Sequence, residues 1–325
     1  MGTQLTVIST FSGCGGSSLG YKIVGFKELL AIDFDHNSVE TFKLNFPDVP
    51  VWERDISQVT AEEILSSCGL KRGQLDVFDG SPPCQGFSMT GKRKVSDKRN
   101  SLFEEFVRLV EGLKPKVFVM ENVPGMAMGK MRGMYNVVMD RFEKTTYRVE
   151  CKMMNAMNYG VPQSRRRLFW IGVDDVLGKN PVFPTPSNKV ITVGQALEGL
   201  VDIGEVVTPT GRVDTLYNDI KPGQGMDIIY LERYKKASYF NIRKLSLEKP
   251  SFTITKFFSK EMAGLLHPKE KRFMTIAELK RLASFPDDFV FTGKFSDQWA
   301  RIGNAVMPKM MQAVAEVIKQ EILPR

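Results

Sequence analysis

The stretch Asp79-Gly80-Ser81-Pro82-Pro83-Cys84-Gln85-Gly86-Phe87-Ser88 decides how the rest of the chain is read. The apolar run just before it, residues 75–78, is strand-like. Two consecutive prolines fix φ and cannot continue a central strand, so the chain must leave the sheet in a rigid turn that presents one cysteine. A basic loop follows, carrying Lys92, Arg93, Lys94, Lys98 and Arg99, and a helix-like run over residues 101–107 closes it. A thiol at the carboxyl end of a strand, beneath a basic loop, reads as an activated nucleophile. The alternative is a buried structural cysteine, the commoner fate of a free thiol.

On the N-terminal side, residues 5–9 read as a buried parallel strand and residues 17–24 as a helix. Between them lies Phe11-Ser12-Gly13-Cys14-Gly15-Gly16, a loop whose glycines admit close approach of a nucleotide-like ligand. The dinucleotide fingerprint G-x-G-x-x-G fails, because Ser18 stands where the third glycine belongs. A second strand over residues 28–32 ends in Asp33, twenty positions after Gly13, where an acid hydrogen-bonds ribose hydroxyls in a doubly wound sheet. Asp35 is a helix cap; a third strand, residues 49–54, ends in Asp55-Ile56; Thr60-Ala61-Glu62-Glu63 is a capping box.

On the C-terminal side, a strand over residues 116–120 ends in Glu121-Asn122-Val123-Pro124, which puts Glu121 at the same sheet edge as Cys84. A helix over residues 132–143 and a strand over 147–154 follow. Ser164-Arg165-Arg166-Arg167 then abuts a strand over residues 168–173, and alternation sends Arg165 and Arg167 to one face and Arg166 to the other. Strands and helices alternating, with chemistry-bearing residues at strand ends, make an open α/β sheet with its site at the carboxyl edge.

The whole chain has 325 residues, 42% hydrophobic and 25% charged, enough for one large domain or two modest ones. A formal net charge of +8 favours a polyanionic partner. Cys14, Cys68, Cys84 and Cys151 are scattered with no CxxC pair, which argues against zinc and against a disulfide framework. The two histidines, His36 and His267, lie too far apart in the chain to suggest a His-based metal site or a Ser-His-Asp triad. With no signal peptide or transmembrane run, the expectation is a cytoplasmic protein without a membrane partner. From Pro181 onward the alternation is lost. Basic residues such as Arg212, Arg233, Arg243, Lys244 and Lys256 interleave with Tyr217, Tyr230, Tyr239 and Phe252. That texture suits a nucleic-acid surface, or a small domain with a basic exterior. Thr275 caps a helix running to Ala283, and a last helix spans residues 309–322.

Taken in order, these pieces resemble the cytosine-5 DNA methyltransferases of bacterial restriction–modification type, nearly end to end. Phe11-Ser12-Gly13-Cys14-Gly15-Gly16 resembles the family's cofactor loop, Pro82-Pro83-Cys84-Gln85-Gly86-Phe87-Ser88 its nucleophile motif, and Glu121-Asn122-Val123 its base-activating motif. Gln163, Arg165 and Arg167 fit Q-x-R-x-R, and Gly303-Asn304-Ala305-Val306 the closing motif. Three positions depart from the pattern: Asp33 stands for the usual glutamate, Met307 for the first of two prolines, and Arg166 adds a charge.

The resemblance implies an S-adenosylmethionine-dependent, Rossmann-like catalytic domain over residues 1–185, completed by 298–325, and a smaller, irregular target-recognition domain with its hinge over 186–297. It implies methyl transfer to carbon 5 of a flipped cytosine in double-stranded DNA, with S-adenosylhomocysteine as product and no metal. Cys84 is the nucleophile, its thiolate favoured by the basic loop. Glu121 must hold a proton near neutral pH to hydrogen-bond ring nitrogen 3. Arg165 is assigned to the ring oxygen; Arg167 braces either Glu121 or a phosphate. The cofactor set is Phe11, Ser12, Gly13, Cys14, Gly15, Asp33, Phe34, Asp55, Ile56, Ser81, Pro82, Leu102, Asn304 and Val306. The DNA set is Gln85, Ser88, Lys92, Arg93, Arg99, Gln163, Arg243 and Lys244. The implied partner beyond DNA is a restriction endonuclease acting on the same site without a stable complex, with the enzyme a monomer on DNA. Three rivals stand beside this reading. A tRNA cytosine-5 methyltransferase would carry Cys-Phe-Thr, which is missing here; a non-catalytic paralogue would lack Cys84 or Glu121; a nicotinamide oxidoreductase is disfavoured by Ser18.

Overall fold

The computed structural model describes residues 4–83, 101–127 and 132–324. The chain forms two compact units, one made of Met1–Met154, Arg166–Thr185 and Met311–Arg325, the other of Asn155–Arg165 and Pro186–Met310.

The first unit is built on a seven-stranded sheet in the order β3-β2-β1-β4-β5-β7-β6. Its strands are β1 (Thr6–Thr10), β2 (Lys27–Asp33), β3 (Val51–Glu53), β4 (Val77–Gly80), β5 (Val117–Asn122), β6 (Tyr147–Asn155) and β7 (Arg166–Asp174). Helices α1 (Gly16–Val24), α2 (His36–Asn45), α3 (Ala61–Cys68), α4 (Ser101–Leu113) and α5 (Arg132–Phe142) connect them. The pairings β1–β2, β2–β3, β1–β4 and β4–β5 are parallel, whereas β7 runs antiparallel to β5. Every residue of β4 and β5 is buried, which is why both read as continuous runs rather than alternating ones.

Register lines up the strand ends. Thr10 pairs with both Ile32 and Gly80, and Gly80 pairs with Met120. The next residue on each strand, Phe11, Asp33, Ser81 and Glu121, therefore stands one step beyond a common row. Chain order reverses between β1 and β4, the switch point outside which open α/β sheets bind ligands. On the other side of β4 an aromatic core fixes the helices: Phe78 stacks on Phe106 at 5.2 Å and Phe118 on Phe142 at 4.7 Å. Gly80 is required by that packing, since a Cβ there would lie 2.6 Å from Thr10 Oγ1 and 2.7 Å from the Phe106 ring.

Several expected bounds shift. The strand predicted over residues 75–78 is Val77–Gly80, because the ladders to β1 and β5 continue through the polar Asp79. β5 extends through Glu121 and Asn122, and β7 begins at Arg166, so these polar residues belong to the sheet. The last helix is α11 (Pro308–Val317), led by a proline suited to a first helical position, and it widens into a π-helical turn over Ile318–Ile322.

The second unit contains α6 (Val193–Leu197), α7 (Gly211–Leu216), α8 (Met226–Tyr234), α9 (Ile276–Leu282), α10 (Phe295–Asn304) and a parallel pair, β8 (Asn241–Lys244) and β9 (Ala263–Leu266). Full capping boxes start α6 at Thr192 and α9 at Thr275. Its core is aromatic, with Phe258 4.7 Å from Trp299 and 5.0 Å from Phe273. Among the described residues, no helix is long and apolar enough to cross a membrane.

Candidate active site

The site is built from loops leaving the carboxyl ends of β1, β2, β3, β4 and β5. After β1, the chain turns through Phe11, whose φ of 52° is left-handed, and reaches Gly15, whose φ of 92° caps α1. A side chain is strained at such angles, and Cβ on Gly15 would lie 2.4 Å from the Phe46 ring. The loop is tied to the end of β2: the Ser12 N–H donates to the Ile32 carbonyl at 3.2 Å, and the Gly13 N–H donates to Asp33 Oδ2 at 2.7 Å. Asp33 Oδ1 accepts from the Asp35 N–H at 2.9 Å, and Asp35 in turn caps α2 through Ser38. Asp55 accepts from the Ser57 N–H and hydroxyl.

These groups open on a cleft of about 140 Å³ lined by Phe11, Ile32, Asp33, Phe34, Arg54, Asp55, Ile56, Pro83 and Leu102. Six of those residues were expected from the sequence; Ile32, Arg54 and Pro83 were not. Phe34 is 71% exposed, leaving its ring face open, while Cys14 and Ser12 are buried beneath the loop. Aromatic walls and two strand-end acids fit the adenosine end of S-adenosylmethionine: the rings suit adenine and the acids suit ribose hydroxyls or an exocyclic amine.

Across the switch point, β4 delivers Ser81, Pro82 and Pro83, and β5 delivers Glu121 and Asn122. Asn122 joins the two strand ends: its Nδ2 donates to the Pro82 carbonyl at 2.7 Å, and its Oδ1 accepts from the Val123 N–H at 2.8 Å. In the sequence Asn122 has no separate role. Its signal was its place beside Glu121, where the short amide both donates and accepts. Glu121 is 8% exposed, and Arg167, near the start of β7, holds it with Nε 2.8 Å from Oε1. Of the alternatives for Arg167, bracing Glu121 is the one seen. Cys84, Gln85, Ser88, Lys92, Arg93 and Arg99 lie outside the described residues.

Other assignments change. Arg165 is 2% exposed, and its guanidinium donates to the carbonyls of Ile254 at 3.0 Å, Gly303 at 2.9 Å and Ala305 at 3.1 Å. It is a scaffold cation of the second unit and not a contact to a ring oxygen. Gln163, expected at DNA, is fully buried: its Nε2 donates to the Leu282 carbonyl at 3.2 Å, and its Oε1 accepts from the Ile254 N–H at 3.1 Å. The same Nε2 lies 3.8 Å from the Met307 sulfur, so the methionine that replaces a family proline is part of this packing. Lys244 is 7% exposed, 3.9 Å above the Tyr217 ring, and donates to the Tyr217 carbonyl, so it is no surface phosphate contact. Burial lowers its pKa. Arg243 is half-buried and paired with Asp227 at 3.0 Å. For Arg165, Gln163 and Lys244 a surround of backbone groups and apolar side chains, invisible in the local sequence, claimed the polar head; for Arg243 it was a carboxylate. Asn304 and Val306 belong to the second unit, the first exposed and the second buried. Among the described residues, no group of three or more His, Cys, Asp or Glu is placed to hold a metal.

A sheet with acids and aromatic rings at its switch point, and an Arg-braced glutamate beside a proline turn, suit an enzyme that uses a nucleotide-like cofactor. The model of the C-5 cytosine-specific DNA methylase family matches residues 5–320, and the chain belongs to that family. It is 36% identical to the type II methyltransferase M1.HphI of Haemophilus parahaemolyticus, over 97% of this chain and 87% of that protein. It is 33% identical to M.DdeI of Desulfomicrobium norvegicum, over 97% and 88% respectively. A crystal structure of a prophage-encoded protein of E. coli, described as a DNA modification methyltransferase, superposes with a TM-score of 0.76 at 28% identity, covering 98% of this chain and 99% of that one. Spodoptera frugiperda DNMT2, with a TM-score of 0.71, 19% identity and coverage of 97% and 99%, shares the fold. The enzyme is thus a DNA cytosine-5 methyltransferase with a Rossmann-like catalytic fold.

Proposed function

We propose that this enzyme flips a cytosine out of duplex DNA and methylates its carbon 5 through a covalent Cys84 adduct, as the modification half of a restriction–modification system. The observation that carries the reading is the junction of two strand ends: the Asn122 amide on the Pro82 carbonyl, with Arg167 on Glu121 beside it. It ties the turn Ser81–Pro83 to the strand end that carries Glu121.

Carbon 5 of cytosine is a poor nucleophile. Cys84 attacks carbon 6, forming an S–C bond and turning the ring into an enamine. Glu121, aimed by Arg167, hydrogen-bonds ring nitrogen 3 as negative charge builds there. S-adenosylmethionine, when bound, supplies an electrophilic sulfonium methyl. Phe11 and Phe34 hold its adenine, Asp33 its ribose, Asp55 with Ile56 the adenine edge, and Ser12 to Gly15 with Leu102 shape its remaining pocket. The carbon-5 proton then leaves to water, the S–C bond breaks, and the Cys84 thiolate returns. None of these groups reaches a base inside a helix, so the cytosine must leave the stack. Residues 186–297 serve as the target-recognition domain. Within them Lys235, Lys236 and Tyr239, all exposed, replace Arg243 and Lys244 as first candidates for DNA contact. The enzyme acts as a monomer on DNA, alongside an endonuclease of the same specificity.

The test is DNA containing 5-fluorocytosine at the target, where fluorine cannot leave as a proton does. The wild-type chain forms a denaturant-stable adduct and Cys84→Ser forms none, while S-adenosylmethionine binding stays measurable. An adduct with Cys84→Ser refutes the nucleophile assignment. Sequencing the methylome of cells expressing the wild type identifies the target site, and methylation of tRNA alone would replace DNA as the substrate.

A further inference from the structure

Strand β4 carries an acid that the chemistry above does not use. Phe78 faces α4, and alternation sends Asp79 to the opposite face, toward α1. Asp79 is 2% exposed. Tyr21 Oη lies 3.3 Å from its Oδ1, and Ser17 on the same helix also hydrogen-bonds it. The titratable groups that act on it are Tyr21 from α1, Glu28 from β2 and Glu121 from β5, all acids; β1 contributes the Thr10 hydroxyl, which donates to the Asp79 carbonyl at 3.1 Å. Glu28 is itself held by the Ser18 hydroxyl at 2.9 Å, and burial pushes its pKa up to about 7. Burial first, then the Glu28 charge, push Asp79 up to about 8. Near neutral pH, Asp79 is therefore a neutral acid that both donates and accepts.

The placement of this group is specific. Helix α1 follows the loop of Phe11 to Gly15, and β4 runs directly into Ser81, Pro82 and Pro83. We propose that Asp79 is a positioning residue, which pegs the strand leading to the nucleophile turn onto the helix behind the cofactor loop through Tyr21 and Ser17. This rests on the methyl-transfer reading above. A bond across that junction keeps nucleophile and methyl donor in one frame, where small displacements cost rate.

The peg has a pH signature. A carboxyl whose folded pKa lies above its ordinary 3.8 stabilises the fold fully in acid, and that contribution is lost as pH rises toward 8. Thermal unfolding of the full chain from about pH 5 to about pH 8, between the ordinary and the raised value, reads this directly. The wild type loses stability across the window and Asp79→Asn, which keeps the shape but cannot ionise, loses less. In methyl-transfer assays, wild-type kcat falls above the Asp79 transition and Asp79→Asn does not share that fall. Asp79→Ala lowers kcat by about tenfold, with the KM for S-adenosylmethionine changed less than about twofold. Should Asp79→Ala fail to fold, Tyr21→Phe removes one partner without changing volume and lowers kcat by about threefold. Equal pH slopes of unfolding for wild type and Asp79→Asn overturn the neutral acid; wild-type kcat in Asp79→Ala or Tyr21→Phe overturns the positioning role. The melts need neither DNA nor cofactor, so a wild-type chain that transfers no methyl group overturns the methyltransferase reading and the positioning role, while the melts still decide on the neutral acid.

Discussion

Arg165 and Arg167 sit two positions apart in one motif, yet the two units of the molecule use them differently. Arg167 belongs to the first unit and meets a carboxylate, Glu121, at 2.8 Å. Arg165 belongs to the second and meets three backbone carbonyls. The same contrast runs through both regions. In the first unit, Asp33 and Asp55 are fixed by backbone N–H groups and still face a cleft. In the second, the polar heads of Gln163 and Lys244 are consumed by carbonyls and rings. Regular strands deliver backbone groups already paired in ladders, so side chains at their ends are left for ligands. A unit of short segments has unpaired carbonyls to satisfy, and its buried cations do that work.

The sharpest way to break this comparison is Arg165→Ala. It strands three buried carbonyls and should cost about 3–5 kcal/mol of stability, read by urea unfolding, with catalysis in the surviving folded fraction changed far less. Arg167→Ala should do the reverse: kcat falls by about a hundredfold, as when one preorganised group at a developing charge is removed, and the midpoint of urea unfolding shifts less than in Arg165→Ala. If both variants lose stability equally and activity equally, the division between a bracing and a scaffold arginine is wrong.

Asp33→Ala sharpens the claim for the first unit. Loss of a charge-assisted hydrogen bond should weaken S-adenosylmethionine binding by about 1.5–3 kcal/mol in calorimetry. Unchanged affinity would confine Asp33 to holding the Gly13 and Asp35 N–H groups. The smallest effect belongs to the exposed cations of the second unit. Lys235→Ala and Lys236→Ala should each lower the slope of log affinity for duplex DNA against log salt by about one, equally for all sequences. Lys244→Ala should leave that slope unchanged, because its ammonium is held at Tyr217.

Local chemistry made most of the first unit legible. The proline pair, the glycine loop and the acids after apolar runs act through the residues next to them, so Thr60 and Asp35 cap the helices expected of them, and β1, β2 and β5 lie within one or two residues of their expected bounds. Gln163 and Arg165 were misread because their partners are distant in the chain: Ile254, Leu282 and Gly303 lie some ninety to a hundred and forty positions away. The same holds for Asp79, whose neighbours Tyr21 and Glu28 come from other elements.

The sequence by itself determined the class of fold, the family and the identity of the chemical groups, because periodicity, turn residues and motif order are properties of neighbouring residues. Tertiary structure alone decided what each polar group does. It set the register that aligns Phe11, Asp33, Ser81 and Glu121 beyond one row of the sheet, gave Arg167 rather than Arg165 to Glu121, and tied Asn122 to Pro82. The physical reason is that a hydrogen bond or a buried charge depends on which groups share a volume of a few ångströms, and only the folded backbone brings residues far apart in the chain into it.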